Sequence, residues 1–196
     1  MKKIPAMLIW IIIAAAAAIA IYAIVVFNRL VRLRQMANEA WSGIDVQLKR
    51  RSDLVPNLVE AVKGYAAHER STLDEVTALR GAARAMPDAD VEGRAKAESA
   101  LSAGIGRLLA LAEAYPDLKA SGNFLELQKQ LSALEDDLQM ARRYYNGAVR
   151  NLNVEVQAFP SNVIAGVGGF AARGFFELAD AGERNAPQVQ FNPSPS

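Results

Sequence analysis

A run without any charged side chain extends from Ile4 to Phe27 and limits how the chain can fold. The run is 24 residues long, and a helix needs about 20 apolar residues, at about 1.5 Å per residue, to cross the hydrocarbon core of a bilayer. We therefore predict an N-terminal membrane anchor over residues 1–28, which holds the rest of the chain at a membrane surface.

A cleavable signal peptide is the alternative interpretation of this run. Lys2 and Lys3 give it a basic start, and Ala18-Ile19-Ala20 matches the small-x-small pattern of a cleavage site. The apolar sequence continues well past that site to Phe27, which is longer than a usual signal core, so an uncleaved anchor is favoured.

The charges that flank the run do not set its orientation strongly. Lys2 and Lys3 precede it, and three arginines follow it at positions 29, 32 and 34. Basic residues are enriched on the cytoplasmic side of a span, and the amino terminus adds one more positive charge to the first side. The positive charges on the two sides are then equal in number. Because long domains cross a membrane whatever their charge, we slightly favour a soluble domain that lies outside the cytoplasm.

The composition argues against several classes of function. Net charge is +1 and no basic cluster remains beyond the membrane boundary, so we expect no nucleic-acid partner. The chain has no cysteine and only one histidine, His68, which leaves little material for a metal site or a nucleophile with its base. Glu135-Asp136-Asp137 point in three directions on a helix and are expected to be solvated. We predict no enzymatic activity, no metal and no cofactor.

Apolar residues recur at spacings of three and four, which predicts helices almost throughout the soluble part. The anchor is expected to continue without a break into the first soluble helix as a stiff stalk. A polar patch, Lys49-Arg50-Arg51-Ser52-Asp53, interrupts the apolar stripe. Pro56 follows it and predicts a kink or a short break near Ser52–Pro56, because proline lacks the backbone donor. The stripes are Leu30, Leu33, Ala37, Ala40 and Ile44; Val55, Leu58, Val62 and Tyr65; Leu73, Val76, Leu79, Ala83 and Met86; Leu101, Ile105, Leu108, Ala112 and Tyr115; and Leu127, Leu131, Leu134, Leu138, Ala141, Tyr145, Ala148 and Leu152.

Prolines and polar turns separate these helices. The second is expected over His68–Met86, Pro116 starts another turn, and Asn123 with Glu126 resembles a helix cap with its acidic partner. The last helix should end near Phe159-Pro160.

The pattern predicts an all-α fold in which residues 29–160 form an antiparallel bundle of long helices. Each helix has one apolar stripe to bury against the others. An extended coiled coil is the alternative, but the turns at Pro87 and Pro116 fold the chain back on itself. Residues 161–178 form a Gly/Phe-rich apolar segment, and residues 179–196, rich in proline and serine, are expected to be disordered.

Two groups of residues are candidates for specific contacts. Arg142, Tyr145 and Asn146 are interpreted chiefly as core and hydrogen-bonding positions, with a partner-binding face as the alternative. The apolar segment is expected to pack over the end of the bundle. The alternative is contact with the membrane interface or a second subunit through three phenylalanines, Phe170, Phe175 and Phe176, with Arg173 at the headgroups.

Several motifs together resemble the LemA family of bacterial membrane proteins, and the resemblance extends from the anchor to about Phe176. The segment Gly166–Gly174 departs from it, being richer in Gly and Ala and poorer in Lys than expected. The motifs are Asp53-Leu54-Val55-Pro56-Asn57-Leu58-Val59, Tyr65-Ala66-Ala67-His68-Glu69, Tyr115-Pro116-Asp117-Leu118-Lys119-Ala120, Asn123-Phe124-Leu125, Ala141-Arg142-Arg143-Tyr144-Tyr145-Asn146, Phe159-Pro160-Ser161-Asn162 and Phe175-Phe176-Glu177.

The resemblance implies a single-pass protein of the bacterial cytoplasmic (inner) membrane, with a helical bundle and no known enzymatic activity. It also implies that Pro56 and Asn57 are a built-in feature of the first helix, and that Tyr145 and Asn146 combine core packing with a polar network.

Three classes of function are compatible with these features. The first is a membrane-anchored scaffold or adaptor of the cell envelope, expected to be a homo-oligomer that binds other envelope proteins. The second is a membrane-active protein that contacts or shapes lipid when its bundle opens. An enzyme or metal-binding bundle is the least favoured, given one histidine and no cysteine.

Overall fold

The computed structural model describes residues 6–66 and 68–177, and within these ranges the chain is helical and has no strand. One long apolar N-terminal helix precedes the remaining helices, which confirms the predicted all-α architecture. The helices are α1 (Ala6–Lys63), α2 (Arg70–Ala85), α3 (Val91–Glu113), α4 (Pro116–Lys119), α5 (Gly122–Gln157) and α6 (Ser161–Val167).

Helix α1 joins the apolar run to the bundle without interruption over 58 residues. The prediction of a continuous stalk is therefore confirmed. In the apolar part almost every side chain is exposed, including Trp10 at 70% and Ile19 at 69%. Exposed apolar side chains of this kind are stable in contact with lipid or with another protein. Helix α1 therefore has an N-terminal section with the length and composition of a membrane span, followed by a section that packs in the bundle.

Of the kink or short break predicted near Ser52–Pro56, the break is wrong, because α1 continues through Pro56 to Lys63. Proline at position 56 removes the donor that the carbonyl of Ser52, four residues earlier, would normally accept. The Nε of Arg80 on α2 donates to that carbonyl instead, at 2.6 Å. Val55 and Leu58 on either side of the proline are fully buried, so packing also stabilises the helix through this position.

The Arg80 contact leads to a testable coupling. Changing Arg80 to methionine is expected to lower the free energy of unfolding by about 1–2 kcal/mol, because the carbonyl of Ser52 loses its charged donor. In a Pro56→Ala background the loss should be smaller, since alanine restores the helical N–H. Chemical unfolding of the four proteins of this cycle, in detergent micelles, measures the coupling. Equal losses in both backgrounds would contradict this role of Arg80.

Helices α1 and α5 run antiparallel along each other. Arg29, Trp41 and Arg51, in order along α1, contact α5 residues of steadily decreasing number: Glu155, Tyr145 and Glu135. Helices α2 and α3 pack against the far end of this pair. The last turn of α5 therefore returns to the level at which α1 leaves the apolar run.

The buried side chains form two separate apolar clusters along the α1–α5 pair. The membrane-proximal core includes Val26, Leu30, Ala37, Ala40, Ile44, Leu48, Leu138, Tyr145, Ala148, Val149, Leu152, Ala165, Phe170 and Phe176. The distal core includes Val55, Leu58, Val62, Leu73, Val76, Leu101, Ile105, Leu108, Leu118, Phe124 and Leu131.

The start of α5 differs from the predicted cap at Asn123. The helix already begins at Gly122, Ser121 occupies the capping position without a side-chain bond, and Asn123 lies in the first turn. Phe124 is buried in the distal core, and this packing holds the first turn in helical form. Glu126 accepts from the Gln130 side chain instead. The other end is as predicted, since α5 stops at Gln157, just before Phe159-Pro160.

A glycine turn after α6 sends the chain back along α5. Gly169 has φ +66°, a conformation that glycine adopts without strain. The amide of Phe170 donates to the carbonyl of Ala165, and the amide of Gly169 donates to the carbonyl of Gly166. This pair of backbone hydrogen bonds ends many helices. An irregular segment, residues 170–177, follows and is called here the C-terminal segment. The predicted disordered tail, residues 179–196, lies outside the described residues.

Candidate functional site

Two asparagines on α5 hold the backbone of the C-terminal segment. The Asn146 amide donates to the carbonyl of Phe176 at 3.2 Å and accepts from its N–H at 2.9 Å. Asn153 forms the same pair of bonds with Arg173, at 2.9 and 2.8 Å. A side-chain amide offers both a donor and an acceptor, so each asparagine satisfies both backbone groups of one residue as a neighbouring strand would.

Tyr145 adds a third bond to this arrangement. Its side chain is 1% exposed, and its hydroxyl donates to the carbonyl of Gly174 at 3.0 Å. Burial raises the pKa of the Tyr145 phenol above its ordinary value, while the charge of Arg173 acts in the opposite direction. The phenol therefore stays protonated at neutral pH and keeps its donor.

Asn153 is the residue that the sequence analysis missed at this site. It follows Asn146 by seven residues, which is two turns of a helix, so both amides lie on the same face of α5. The seven-residue spacing of the two asparagines is the sequence feature from which Asn153 could have been predicted as part of this site. The structure buries Tyr145 and bonds both Tyr145 and Asn146 to the backbone of the C-terminal segment.

The three candidate phenylalanines do not share one environment. Phe176 is fully buried and packs edge-on against Trp41 at 5.6 Å. Phe170 is also buried, with its ring 5.4 Å from that of Phe27 and the Arg34 guanidinium 4.8 Å above it. Phe175 alone of the three is exposed, at 40%. Phe170 and Phe176 thus stabilise the chain's own fold, and contact of Phe175 with a membrane or a second subunit stays a prediction.

The other candidate residues lie apart from this arrangement. Pro56 and Asn57 are exposed near the distal end of α1, and Arg142 is partly exposed on α5. The structure does not bring these three together, and none of them holds the C-terminal segment.

A buried ionic layer separates the two apolar cores. Arg51 on α1 is 3% exposed, and its guanidinium contacts the carboxylate of Glu98 on α3 at 2.6 Å. It also contacts the carboxylate of Glu135 on α5 at 3.3 Å and the hydroxyl of Ser102. One side chain therefore links three helices. Its pairing with Glu98 is shielded from water, whereas the Glu135 side chain is 42% exposed.

The sequence indicates a polar patch at Arg51 and a solvated acidic cluster at Glu135. The structure pairs the two residues, with Arg51 buried and the Glu135 side chain still 42% exposed. The position of Arg51 was a usable signal, because it follows the buried Ile44 and precedes the buried Leu58 by seven residues each. A charge at such a place in an apolar stripe must find a partner inside the bundle.

A second arginine ties α1 to the turn between α2 and α3. Arg94 contacts the carboxylates of Asp45 on α1 and Asp88 in the turn, and its guanidinium lies 5.8 Å from the ring of Trp41. Among the described residues, no group of three or more His, Cys, Asp or Glu side chains is placed to hold a metal ion.

Comparison with known proteins gives one family and a small set of relatives. The sequence profile of the LemA family matches residues 40–191. The chain is 29% identical to protein LemA of Metamycoplasma hominis over 138 residues, which cover 70% of this chain and 63% of that protein.

Two further relatives are named magnetosome proteins. The chain is 24% identical to magnetosome protein MamQ 2 of Paramagnetospirillum magneticum and 23% identical to magnetosome protein MamQ of Magnetospirillum gryphiswaldense. Each alignment covers 80% of this chain and 66% of the relative. The chain thus spans slightly less than two thirds of the length of the curated relatives that it matches.

Proposed function

Because the chain belongs to the LemA family, a family of membrane-associated helical proteins, we propose that it is a membrane-anchored scaffold or adaptor of the bacterial cell envelope. It acts by self-assembly and by binding other envelope proteins rather than by catalysis. It crosses the cytoplasmic (inner) membrane once. The bundle lies outside the cytoplasm, since the basic residues flanking the apolar run are balanced and long domains are translocated largely regardless of their charge.

The continuity of α1 is the observation that carries this proposal. The same helix contains the apolar run and one side of both cores. A helix without a flexible joint transmits the orientation of the anchor to the bundle, so the outer faces of the bundle are presented at a fixed height and angle. An anchor connected by a loose linker would localise a domain but would not orient it.

An outward stripe on α5 is the most suitable partner-binding surface. Met140, Tyr144 and Val154 are 53%, 55% and 59% exposed, and their positions fall within an arc of about 80° around the helix. Exposed apolar side chains gathered on one face often mark an interaction site, and tyrosine frequently contributes much of the binding energy. The partner-binding alternative considered for Tyr145 does not suit that residue, because Tyr145 is buried. Its neighbour Tyr144 is exposed and is the better candidate for partner contact.

The first experiment is gentle detergent extraction of the full-length protein, followed by native mass determination. We expect a defined homo-oligomer or a stable complex with a second envelope protein. A double variant, Met140→Ser with Tyr144→Ser, should release the assembly because it removes two of the three apolar side chains of the stripe.

Val46→Ser is the control for this experiment. Val46 is 48% exposed, but it belongs to α1 and lies on the side of that helix opposite the buried Ile44 and Leu48, so its replacement should leave the assembly intact. A wild-type protein that is monomeric and has no companion under these conditions would contradict the proposal. Equal loss of assembly in the control and the double variant would contradict the assignment of the stripe.

A further inference from the structure

A second segment without charged side chains lies beside the end of the apolar run. The sequence from Val156 to Ala172 contains no Asp, Glu, Lys or Arg, and it includes α6. The ion pair between Arg29 and Glu155, at 3.2 Å, fixes where this segment begins relative to α1. Because Arg29 follows the apolar run by only two residues, the segment starts at the level where a membrane would end.

Helix α6 packs on α1 with one side and exposes apolar residues on the other. Ser161 and Ala165 are buried, and the Ser161 hydroxyl contacts the carbonyl of Glu155 at 2.7 Å. Val163 and Val167, one helical turn apart, are 59% and 89% exposed. Phe159, in the turn that precedes α6, is 84% exposed. In water these three side chains would be unfavourably hydrated.

An apolar groove of about 450 Å³ runs between α6 and α1. Ala23, Ile24 and Phe27 form its α1 wall, and Val163 and Val167 contribute to its α6 wall. The α1 wall belongs to the uncharged run, so in a membrane this wall faces acyl chains. At the same level the Arg29 side chain is 66% exposed, and it offers positive charge to phosphate headgroups.

We propose that residues 158–172, called here the membrane foot, are seated at the boundary between headgroups and acyl chains, and that the groove holds an acyl chain of a phospholipid. The position of the groove in the membrane favours an acyl chain as its occupant, because any molecule beside Ala23–Phe27 lies within the bilayer. The apolar lining of the groove suits the acyl chain of a phospholipid, and the neighbouring Arg29 suits its phosphate headgroup. The bundle then contacts the membrane at two places, and the foot sets its tilt independently of any protein partner.

The absence of cysteine from the chain allows the foot to be located with single spin labels. The full-length variants Val163→Cys and Val167→Cys are labelled in nanodiscs of phosphatidylcholine and phosphatidylglycerol. Val46→Cys is the matched control, because Val46 is 48% exposed on α1 and lies about 28 Å beyond Phe27. We expect labels in the foot to collide readily with oxygen and several-fold less with a water-soluble nickel chelate than the control label.

Two outcomes of this measurement would overturn the seated foot. Nickel-chelate access equal to that at Val46 would place α6 in water. Protection from both reagents, together with dipolar broadening between labels, would show that a second copy of the chain covers α6 instead of lipid.

The groove is tested separately by counting the phospholipids that remain on the detergent-released protein in native mass spectrometry. We expect wild-type protein to retain lipid and Ala23→Phe, which fills the groove, to lose it. Ala20→Phe is the matched control, because Ala20 is in the same apolar run but does not line the groove, and it should retain the wild-type amount. Equal retention in both variants would exclude the groove as the acyl-chain site.

Discussion

Changing Arg51 to alanine is expected to lower the free energy of unfolding by about 3–5 kcal/mol, the usual effect of breaking a buried ion pair from one side. The substitution leaves the carboxylate of Glu98 buried without its partner, and Glu98 is itself only 3% exposed. Desolvation of an unpaired carboxylate dominates the loss, with the missing side-chain volume adding to it. Chemical unfolding of the full-length protein in detergent micelles measures the change.

Arg50→Ala is the matched control, because Arg50 is the preceding residue of the same helix and is exposed. Its loss should change the free energy of unfolding by no more than about 0.5 kcal/mol. Replacing the buried pair together, as Arg51→Leu with Glu98→Leu, should restore most of the stability, since no unpaired charge remains. Equal effects of Arg50→Ala and Arg51→Ala would contradict the buried layer.

The position of the ionic layer between two apolar cores suggests what it contributes to the fold. A shift of one helix by two turns, or seven residues, would again bring apolar positions of the α1 and α5 stripes opposite each other. It would also separate Arg51 from Glu135, which it contacts at 3.3 Å, so the buried guanidinium would lose its partner on α5. We infer that the layer specifies register more than it adds stability, as a single polar residue does in other helix pairs.

Local periodicity was sufficient to predict most of the fold. Leu30, Ile44 and Leu58 on α1, and Leu138 and Leu152 on α5, are all buried as the stripes require. The apolar run can likewise be recognised from the sequence, because its length and its lack of charged residues do not depend on the fold. A helix that buries one face has apolar residues at spacings of three and four, whichever elements it packs against.

The departures from prediction arise where a distant residue changes a local rule. Pro56 predicts a break, but Arg80, which replaces its missing donor, is 28 residues away from Ser52 in sequence. Arg51 appears as part of a polar patch, but its partner Glu98 is 47 residues away. Neither partner is visible before the helices are placed against each other.

The candidate contact sites show the same limit. Tyr145 and Asn146 were recognisable as special positions, yet their partner is a segment about 30 residues further along the chain. The exposed residues of the membrane foot, Phe159, Val163 and Val167, were not singled out. Their importance depends on the antiparallel return of α5 to the end of the apolar run, which sequence spacing does not report.

Changing Phe176 to alanine has the second large expected effect, a loss of about 3–5 kcal/mol in the free energy of unfolding. Phe176 is fully buried against Trp41, and the packing of its ring keeps its backbone within reach of Asn146. Removing the ring leaves a cavity in the membrane-proximal core and releases the end of the C-terminal segment. Chemical unfolding in detergent micelles measures the loss, and hydrogen exchange of the amide of residue 176 should rise because its bond to Asn146 opens.

The adjacent Phe175 provides the control, since both substitutions remove the same ring from neighbouring positions. Phe175 is 40% exposed, so Phe175→Ala should lower the free energy of unfolding by about 1 kcal/mol or less. Similar losses in the two variants would mean that the C-terminal segment is not held against α1 and α5. A large loss confined to Phe176→Ala would instead show that the segment is part of the core, because only then does the difference in burial between the two rings decide the stability.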